Sequence, residues 1–377
     1  MRPFPIVGIV GGGVIGLALA RLLHARGIAC EVLEEDSDAP DRWRDVSLDI
    51  DEQGGMNALR LAGVELALLE AAGRADDMTT VYDAQGNCLL RDIGSGASRS
   101  RIQRTQLRSI LRSSLPVGTI HWSFKAAGFE RQEHGGWDIV SSDGRRRTFD
   151  LIVGADGVWS RVRTLLTDAQ PVYEGITVAE LRIENVRTFT DPSETVGMGT
   201  MFAFGAGKGL IAQRQASDRV RLLAILEDPP GGPADIWKER PAAKDKAQLI
   251  SHYRDWSSNL VALLEASAEE FTLRPILRLP GGSPWQGLSR VTLIGDAAHV
   301  MPHFASEGLN LGLADAVDLA HAMIIDEALD TRIAGFEARM LARSRMATRR
   351  CAAETRLAIA SNGARELVAR MARNADR

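Results

Sequence analysis

Two clusters of glycine and acid, one near each end of the chain, have residue types and spacing suited to a phosphorylated cofactor. The first is Gly11-x-Gly13-x-x-Gly16, with Val14 and Ile15 opening the segment behind it. In such a pattern the first glycine permits a tight turn, the second lets backbone approach a pyrophosphate, and the third lets a helix pack on a strand. The free N–H groups at the helix start then meet the diphosphate. Glu34 ends the next apolar run, where a carboxylate accepts hydrogen bonds from ribose hydroxyls, and Glu35 and Asp36 after it repel a 2′-phosphate. FAD or NAD fits this site; NADP does not.

The second cluster is Gly295-Asp296-Ala297-Ala298-His299, followed by Pro302 and then Gly308, Leu309 and Asn310. The apolar run RVTLI precedes it and LGLADAVDLAHAMI follows, so it reads as strand, loop and helix. Asp296 at the strand end is placed to accept from polyol hydroxyls. Gly308 and Asn310 leave an open, polar helix start that attracts negative charge, as on the N1/O2 edge of a reduced flavin. One long cofactor, FAD, accounts for both crossings, whereas NAD leaves the second unexplained. His299 and His303 have a spacing that suits zinc on a helix, but Pro302 between them breaks the helix and no H-E-x-x-H pattern exists. No metal is expected.

The elements that must position these residues follow from periodicity. Ile6–Val10 and Ala29–Leu33 read as buried strands around a helix over Val14–Arg26, which Gly27 stops. VSLDID is a short alternating segment with Asp49 and Asp51 in phase, and Asn57–Leu61 and Val64–Ala71 look helical. Val81–Asp92 resembles a hairpin turning at residues 85–87. Thr105–Leu115 is a helix; near it Arg101, Arg104, Arg108 and Arg112 form one stripe, read for the most part as a solvated face. Residues 119–149 suggest an antiparallel meander, and Asp150–Arg163 another strand and turn. Strand patterns over Gly175–Ile183, Val196–Phe204, Leu210–Gln215 and Val220–Leu226 precede a helical stretch over Ala242–Glu265.

The expected fold is α/β: a Rossmann-like FAD-binding domain with an inserted, mostly antiparallel β-sheet substrate domain and a long C-terminal helix. The boundaries are 1–73, 97–169 and 286–330 for the first, 74–96 and 170–285 for the second, and 331–377 for the helical region.

Composition narrows the class. Among 377 residues, 45 Lys and Arg stand against 49 Asp and Glu, a net charge of −4 with no pull towards nucleic acid or anionic lipid. Three cysteines, Cys30, Cys88 and Cys351, are too few and too scattered for a disulfide framework and suit a reducing compartment. The apolar run Ile6–Ala20 after Arg2 imitates a secretion signal but reads better as a buried strand and helix, and no segment has the length of a membrane span. A cytoplasmic protein is expected, as a monomer or weak dimer.

Three motifs in order carry a resemblance: the first fingerprint with Glu34, Gly154-Ala155-Asp156-Gly157 with Ser160 and Arg163, and Gly295 to His299 with Pro302. The chain resembles the single-component (class A) FAD-dependent aromatic hydroxylases of the para-hydroxybenzoate hydroxylase superfamily, most of all the tetracycline-degrading flavin monooxygenases. The resemblance implies that Arg104 contacts the flavin ribityl region, that Asp49 contacts FAD and that Arg42 serves NADPH. It places Asp156 in a motif linked to FAD and NAD(P)H, Asp296 at the ribityl chain and Pro302 beside the flavin ring. It further implies a substrate domain for an aromatic, phenolic or polyketide-like molecule, NADPH or NADH as co-substrate, and oxygen transfer from a flavin C4a-hydroperoxide. Ser306-Glu307-Gly308 departs from the family's Gly-Gln-Gly or Gly-Glu-Gly loop, and Glu180 and Gly209 stand near positions where the tetracycline branch uses glutamine and arginine.

No protein nucleophile is expected, since the cofactor carries the chemistry. The competing readings are a flavin-dependent double-bond reductase, an NAD-dependent dehydrogenase, and a flavin-binding partner protein without turnover. A halogenase is disfavoured by the lack of a Trp-x-Trp-x-Ile-Pro segment.

Overall fold

A computed structural model describes residues 4–37, 47–71, 73–74, 78–92, 100–133, 135–215, 218–228, 242–243, 246–280, 285, 287–302 and 307–375. Arg42, His303 and Ser306 lie outside the described residues. The chain divides into two compact units. The first comprises Met1–Gly73, Ser100–Val172 and Arg278–Cys351, the second Arg74–Arg99, Tyr173–Leu277 and Ala352–Arg377. The C-terminal region is therefore shared between the units: the helix Leu329–Ile359 begins in the first and ends in the second.

The first unit is built on strands β1 (Val7–Val10), β2 (Cys30–Leu33), β5 (Ile120–His121), β6 (Leu151–Gly154) and β7 (Val291–Leu293). They form a sheet in the order β7-β6-β1-β2-β5, each pair parallel. Every residue of β1 and β6 is buried, which is why both read as continuous apolar runs rather than alternating ones. Helix α1 (Val14–His24) follows β1 and buries Leu17, Leu19, Leu22 and Leu23. A small antiparallel pair, β3 (Ser47–Ile50) and β4 (Ser100–Gln103), leads into α2 (Arg104–Ser113). Helix α3 (Glu307–Ala322) and the part of α4 (Leu329–Ile359) up to Cys351 also belong to this unit. The meander appears as Ala126–Arg131, Trp137–Ser141 and Arg146–Phe149, with left-handed Gly135 and Gly144 at its turns.

The second unit holds an eight-stranded sheet among the described residues. Its long central strands, Val172–Ile183, Val220–Glu227, Lys208–Arg214 and Thr200–Gly205, pair antiparallel in that spatial order. Alternate residues Ala179, Leu181, Leu222, Ala224, Leu210 and Ala212 turn to one face and pack with Leu260, Leu263 and Leu264 of the helix Ser258–Glu265.

Three sequence expectations need correction here. The strand expected over Val196–Phe204 starts at Thr200, because Thr190–Val196 is a helix with Pro192 in its first turn and left-handed Gly197 at its end. The helical stretch over Ala242–Glu265 is two helices, Lys246–Ser251 and Ser258–Glu265, with Tyr253 and Trp256 buried between them. The C-terminal helix is interrupted after Ile359 and resumes at Gly363.

Tyr253 shows what locks this second core. Its ring is fully buried, and its hydroxyl lies 2.8 Å from the Ile225 carbonyl oxygen and 3.0 Å from that of Gly209, on neighbouring strands, so that its one proton is shared between them. A buried polar group must find such partners or lose its hydration without return. Tyr253→Phe is expected to lower unfolding free energy by about 1–2 kcal/mol, read by chemical denaturation, while the far-ultraviolet spectrum of the folded protein stays unchanged.

Candidate functional site

The first fingerprint folds as its glycines require. Gly11 has φ +108°, and a Cβ there would lie 2.5 Å from the carbonyl oxygen of Ala155. A Cβ on Gly16 would sit 2.0 Å from the oxygen of Gly11. Gly13 is the exception: a Cβ there meets nothing within 4 Å. It caps α1 without a side-chain hydrogen bond, and the helix has no acid in its first turn. The N-terminal N–H groups, with Val14 and Ile15 at the front, therefore keep their capacity for an anion.

Glu34 is buried at the end of β2 and already engaged. Its Oε2 accepts from the Gly12 N–H, its Oε1 accepts from the Asp36 N–H at 2.9 Å, and Arg108 Nη2 lies 3.6 Å away. Arg108 also donates from Nε to the Gly12 carbonyl at 2.9 Å and lies over the Trp122 ring. The acid cluster is thus not unopposed, and the reading of the arginine stripe as a mainly solvated face needs correction. Arg101 pairs with Asp49 at 2.7 Å, and Arg112 joins Arg108 over Trp122. Arg108 is the residue the sequence reading missed. Its only signal was a place one turn after Arg104 on α2. Arg104 opens that helix and is half-buried. Glu35 is exposed, with Lys125 at 3.9 Å.

Asp49 faces Arg101 with its carboxylate, and its backbone oxygen accepts from Asn310 Nδ2 at 3.1 Å. Asn310 Oδ1 in turn accepts from the Asp51 N–H at 3.1 Å. Asn310 is therefore a staple between α3 and the end of β3 rather than simply an open polar group. The approach is close, since a Cβ on Gly55 would fall 2.2 Å from Asn310 Oδ1. Asp51, just past β3, accepts from the Gly54 and Gly55 N–H groups.

The turn Gly295–Ala297 after β7 carries Asp296, half-buried, to whose carboxylate no described residue donates a hydrogen bond. Gly295 is left-handed at φ +59°, and Gly308 stands near Asp296, a Cβ there lying 3.7 Å from Oδ1. Leu309 is half-buried and Pro302 is buried. Arg163 joins this turn to the Asp156 loop: Nη1 donates to the Ala297 carbonyl at 3.1 Å and Nη2 to the Val158 carbonyl. Burial pushes the Arg163 pKa below its ordinary value. Asp156 Oδ2 accepts from the N–H groups of Arg161 at 2.7 Å and Val162 at 3.3 Å, while its buried Oδ1 has no partner among the described residues. Burial raises the Asp156 pKa against these hydrogen bonds.

The two crossings meet inside the first unit. A Cβ on Gly295 would lie 3.4 Å from Ile15 Cγ1, and one on Gly312 of α3 would lie 3.0 Å from Ile15 Cδ1. The open backbone at Gly13, the carboxylates at two strand ends and two adjoining helix starts fit a long dinucleotide laid across both. FAD has that form, with a pyrophosphate, ribose hydroxyls and a ribityl chain spaced along its length.

In the second unit, Glu180 is buried and paired with Arg221 and Arg274, each at 2.7 Å. Burial alone would raise its pKa, but the two guanidiniums hold it below the ordinary value. At Gly209 a Cβ would lie 2.9 Å from Phe204 and 3.2 Å from the Ala358 oxygen. This position has no room for a large side chain without displacing Phe204.

His299 is not available as a ligand; its Nε2 meets Asp315 Oδ2 at 2.5 Å in a fully buried pair. Burial lowers the His299 pKa, yet the Asp315 charge outweighs it and the value ends above the ordinary 6.5. Burial likewise raises Asp315, but His299 and Arg343 bring it below its ordinary 3.8. The histidine's contribution to stability is fully present below its unfolded value and lost as pH rises through the raised folded value. That of the aspartate is present above its unfolded value and lost as pH falls through the lowered one. Melting temperature against pH should therefore fall on the alkaline side more steeply for the native protein than for His299→Gln. Asp315→Asn should cost about 3 kcal/mol near neutral pH, because it leaves the buried His299 without its counter-charge, while Arg343 keeps Asp318.

Comparison with known proteins agrees with this geometry. Residues 5–350 match the FAD binding domain family. Monooxygenase penA of Penicillium thymicola is 28% identical, the match covering 96% of this chain and 97% of that protein. The 3-amino-4-hydroxybenzoate 2-monooxygenase PtnB3 of Streptomyces platensis is also 28% identical, over 84% of this chain and 78% of its own. A solved structure described as an FAD containing monooxygenase, from Photorhabdus luminescens subsp. laumondii, superposes with a TM-score of 0.81 at 24% identity, covering 96% of this chain and 99% of that one. The match to the FAD binding domain spans nearly the whole chain, and the protein belongs to that family, the flavoprotein family of the single-component FAD-dependent monooxygenases.

Proposed function

We propose that this protein is an FAD-dependent monooxygenase that uses NAD(P)H and O2 to hydroxylate an aromatic, phenolic or polyketide-like small molecule. The observation that carries the reading is the contact of Ile15 with Gly295 and Gly312, which sets two cofactor crossings side by side in one unit. The names of the relatives, both monooxygenases and one acting on an aminohydroxybenzoate, support the reaction type and the aromatic class.

In this reading the N–H groups at Gly13, Val14, Ile15 and Gly16 hold the pyrophosphate. Gly11 gives the turn that aims them, and Glu34, braced by Arg108, receives the adenosine ribose. Asp49 and Arg104 stand along the cofactor's path, Asp156 at the second motif. Asp296 receives the ribityl hydroxyls, and the start of α3 at Gly308, Leu309 and Asn310 supplies positive helix-end potential to the flavin's anionic edge. Pro302 lines the ring. The redox chemistry, taking electrons from NAD(P)H and activating O2, comes from the bound flavin. The protein's own part is to bind, orient and exclude water. By the family resemblance, Arg42 serves NADPH.

Two experiments test this. Purified protein with FAD should bleach on anaerobic addition of NADPH or NADH, faster with one member of a panel of phenols, aminohydroxybenzoates and tetracyclines. On admission of isotopically heavy O2 that compound should gain one heavy oxygen atom. Reduction of a double bond with no oxygen incorporated would replace the hydroxylase with the reductase reading, and a protein that never acquires a flavin spectrum would return the dehydrogenase. Separately, Gly13→Ala should leave apoprotein melting unchanged, since its Cβ meets open space, yet weaken FAD binding about tenfold, equivalent to roughly 1.4 kcal/mol. Gly16→Ala should fail in both respects.

A further inference from the structure

Asp315 occupies the middle of α3 with no solvent exposure, and its two oxygens serve three donors from two other segments. Oδ2 accepts from the Gly295 N–H at 3.1 Å and meets His299 Nε2; Oδ1 meets Arg343 Nη2 of α4 at 2.9 Å. The His299 N–H returns to the Gly295 carbonyl at 2.9 Å, and Arg343 also reaches Asp318 at 2.6 Å, one turn along α3. One carboxylate thereby binds together the turn after β7, α3 and α4. The turn it holds is the one with left-handed Gly295 and with Asp296, whose carboxylate has no described donor. A buried ion network is a poor source of net stability compared with apolar packing, so its presence calls for a role in holding one arrangement.

We propose that the His299–Asp315–Arg343 network is a positioning device for FAD, which sets the Gly295–Ala297 turn and the start of α3 in their cofactor-binding arrangement before the cofactor arrives. This rests on the FAD reading of the site. A preorganised turn pays less ordering entropy on binding, so the network's effect appears in cofactor affinity. His299 and Arg343 act through Asp315 and touch no reacting atom; they are positioning residues. Glutamine at position 299 keeps an N–H donor for Asp315, whereas leucine keeps none.

The test is titration of apoprotein with FAD, followed by flavin fluorescence and absorption, alongside the apoprotein melting curve, for native protein, His299→Gln, His299→Leu and Arg343→Gln. His299→Gln should stay within a few-fold of the native dissociation constant. His299→Leu should weaken binding about tenfold or more, and its bound-flavin spectrum should move towards that of free FAD. Arg343→Gln, at a half-buried site, keeps the fold measurable should the leucine variant not fold, and should also weaken binding several-fold. Native affinity and spectrum in both His299→Leu and Arg343→Gln would overturn the proposal, as would affinity losses that merely follow apoprotein melting across the series. Native protein that binds no FAD would instead overturn the flavin reading itself.

Discussion

The close approach of α1 to its neighbours is the constraint on which the first unit depends. Ile15 lies against Gly295 and Gly312, and Gly16 lies so near the Gly11 carbonyl that no side chain fits. A helix start can face a phosphate only if it is held near the strand edge with its N–H groups unobstructed. Here glycine on both sides makes that distance possible. The same approach brings the turn after β7 next to the first fingerprint, so two crossings that are remote in sequence form one surface.

Charge is then used to keep that surface in shape. Arg163, almost fully buried, donates to carbonyls on both the Val158 and Ala297 sides. Asp315 gathers a backbone N–H, an imidazole and a guanidinium. Burying such groups is expensive unless each is paired, and each pairing fixes a loop that hydrophobic contacts alone would leave mobile in register. Asn310 does the same with a neutral amide, tying α3 to β3. The site is therefore a set of loops held by specific polar bonds on a rigid parallel sheet.

The second unit is organised differently. Its sheet is antiparallel at the centre, with one face packed on helices through alternate residues. Glu180 with Arg221 and Arg274, and Tyr253 with two strand carbonyls, stiffen the sheet. Substrate choice in such a frame depends on which side chains the strands present.

The sequence by itself determined the features that depend on local backbone chemistry. Gly11, Gly13 and Gly16 are legible because a tight turn followed by a helix start admits few residues, and β1 and β6 because strands buried on both faces are uniformly apolar. The acids Glu34 and Asp296 are legible as strand-end carboxylates. The tertiary structure alone decided which groups those acids meet. Arg108 reaches Gly12 across 96 positions and Asn310 reaches Asp49 across 261. A side chain's spacing along its own helix names its face, but the partner on that face is chosen by how strands and helices pack. For the same reason the arginine stripe reads as solvated surface in the sequence, since only the packing of α2 against α1 brings Arg108 to Gly12 and Glu34. The helix Thr190–Val196 was hidden too, because its short run carries β-branched residues, and only Pro192 and left-handed Gly197 mark its ends.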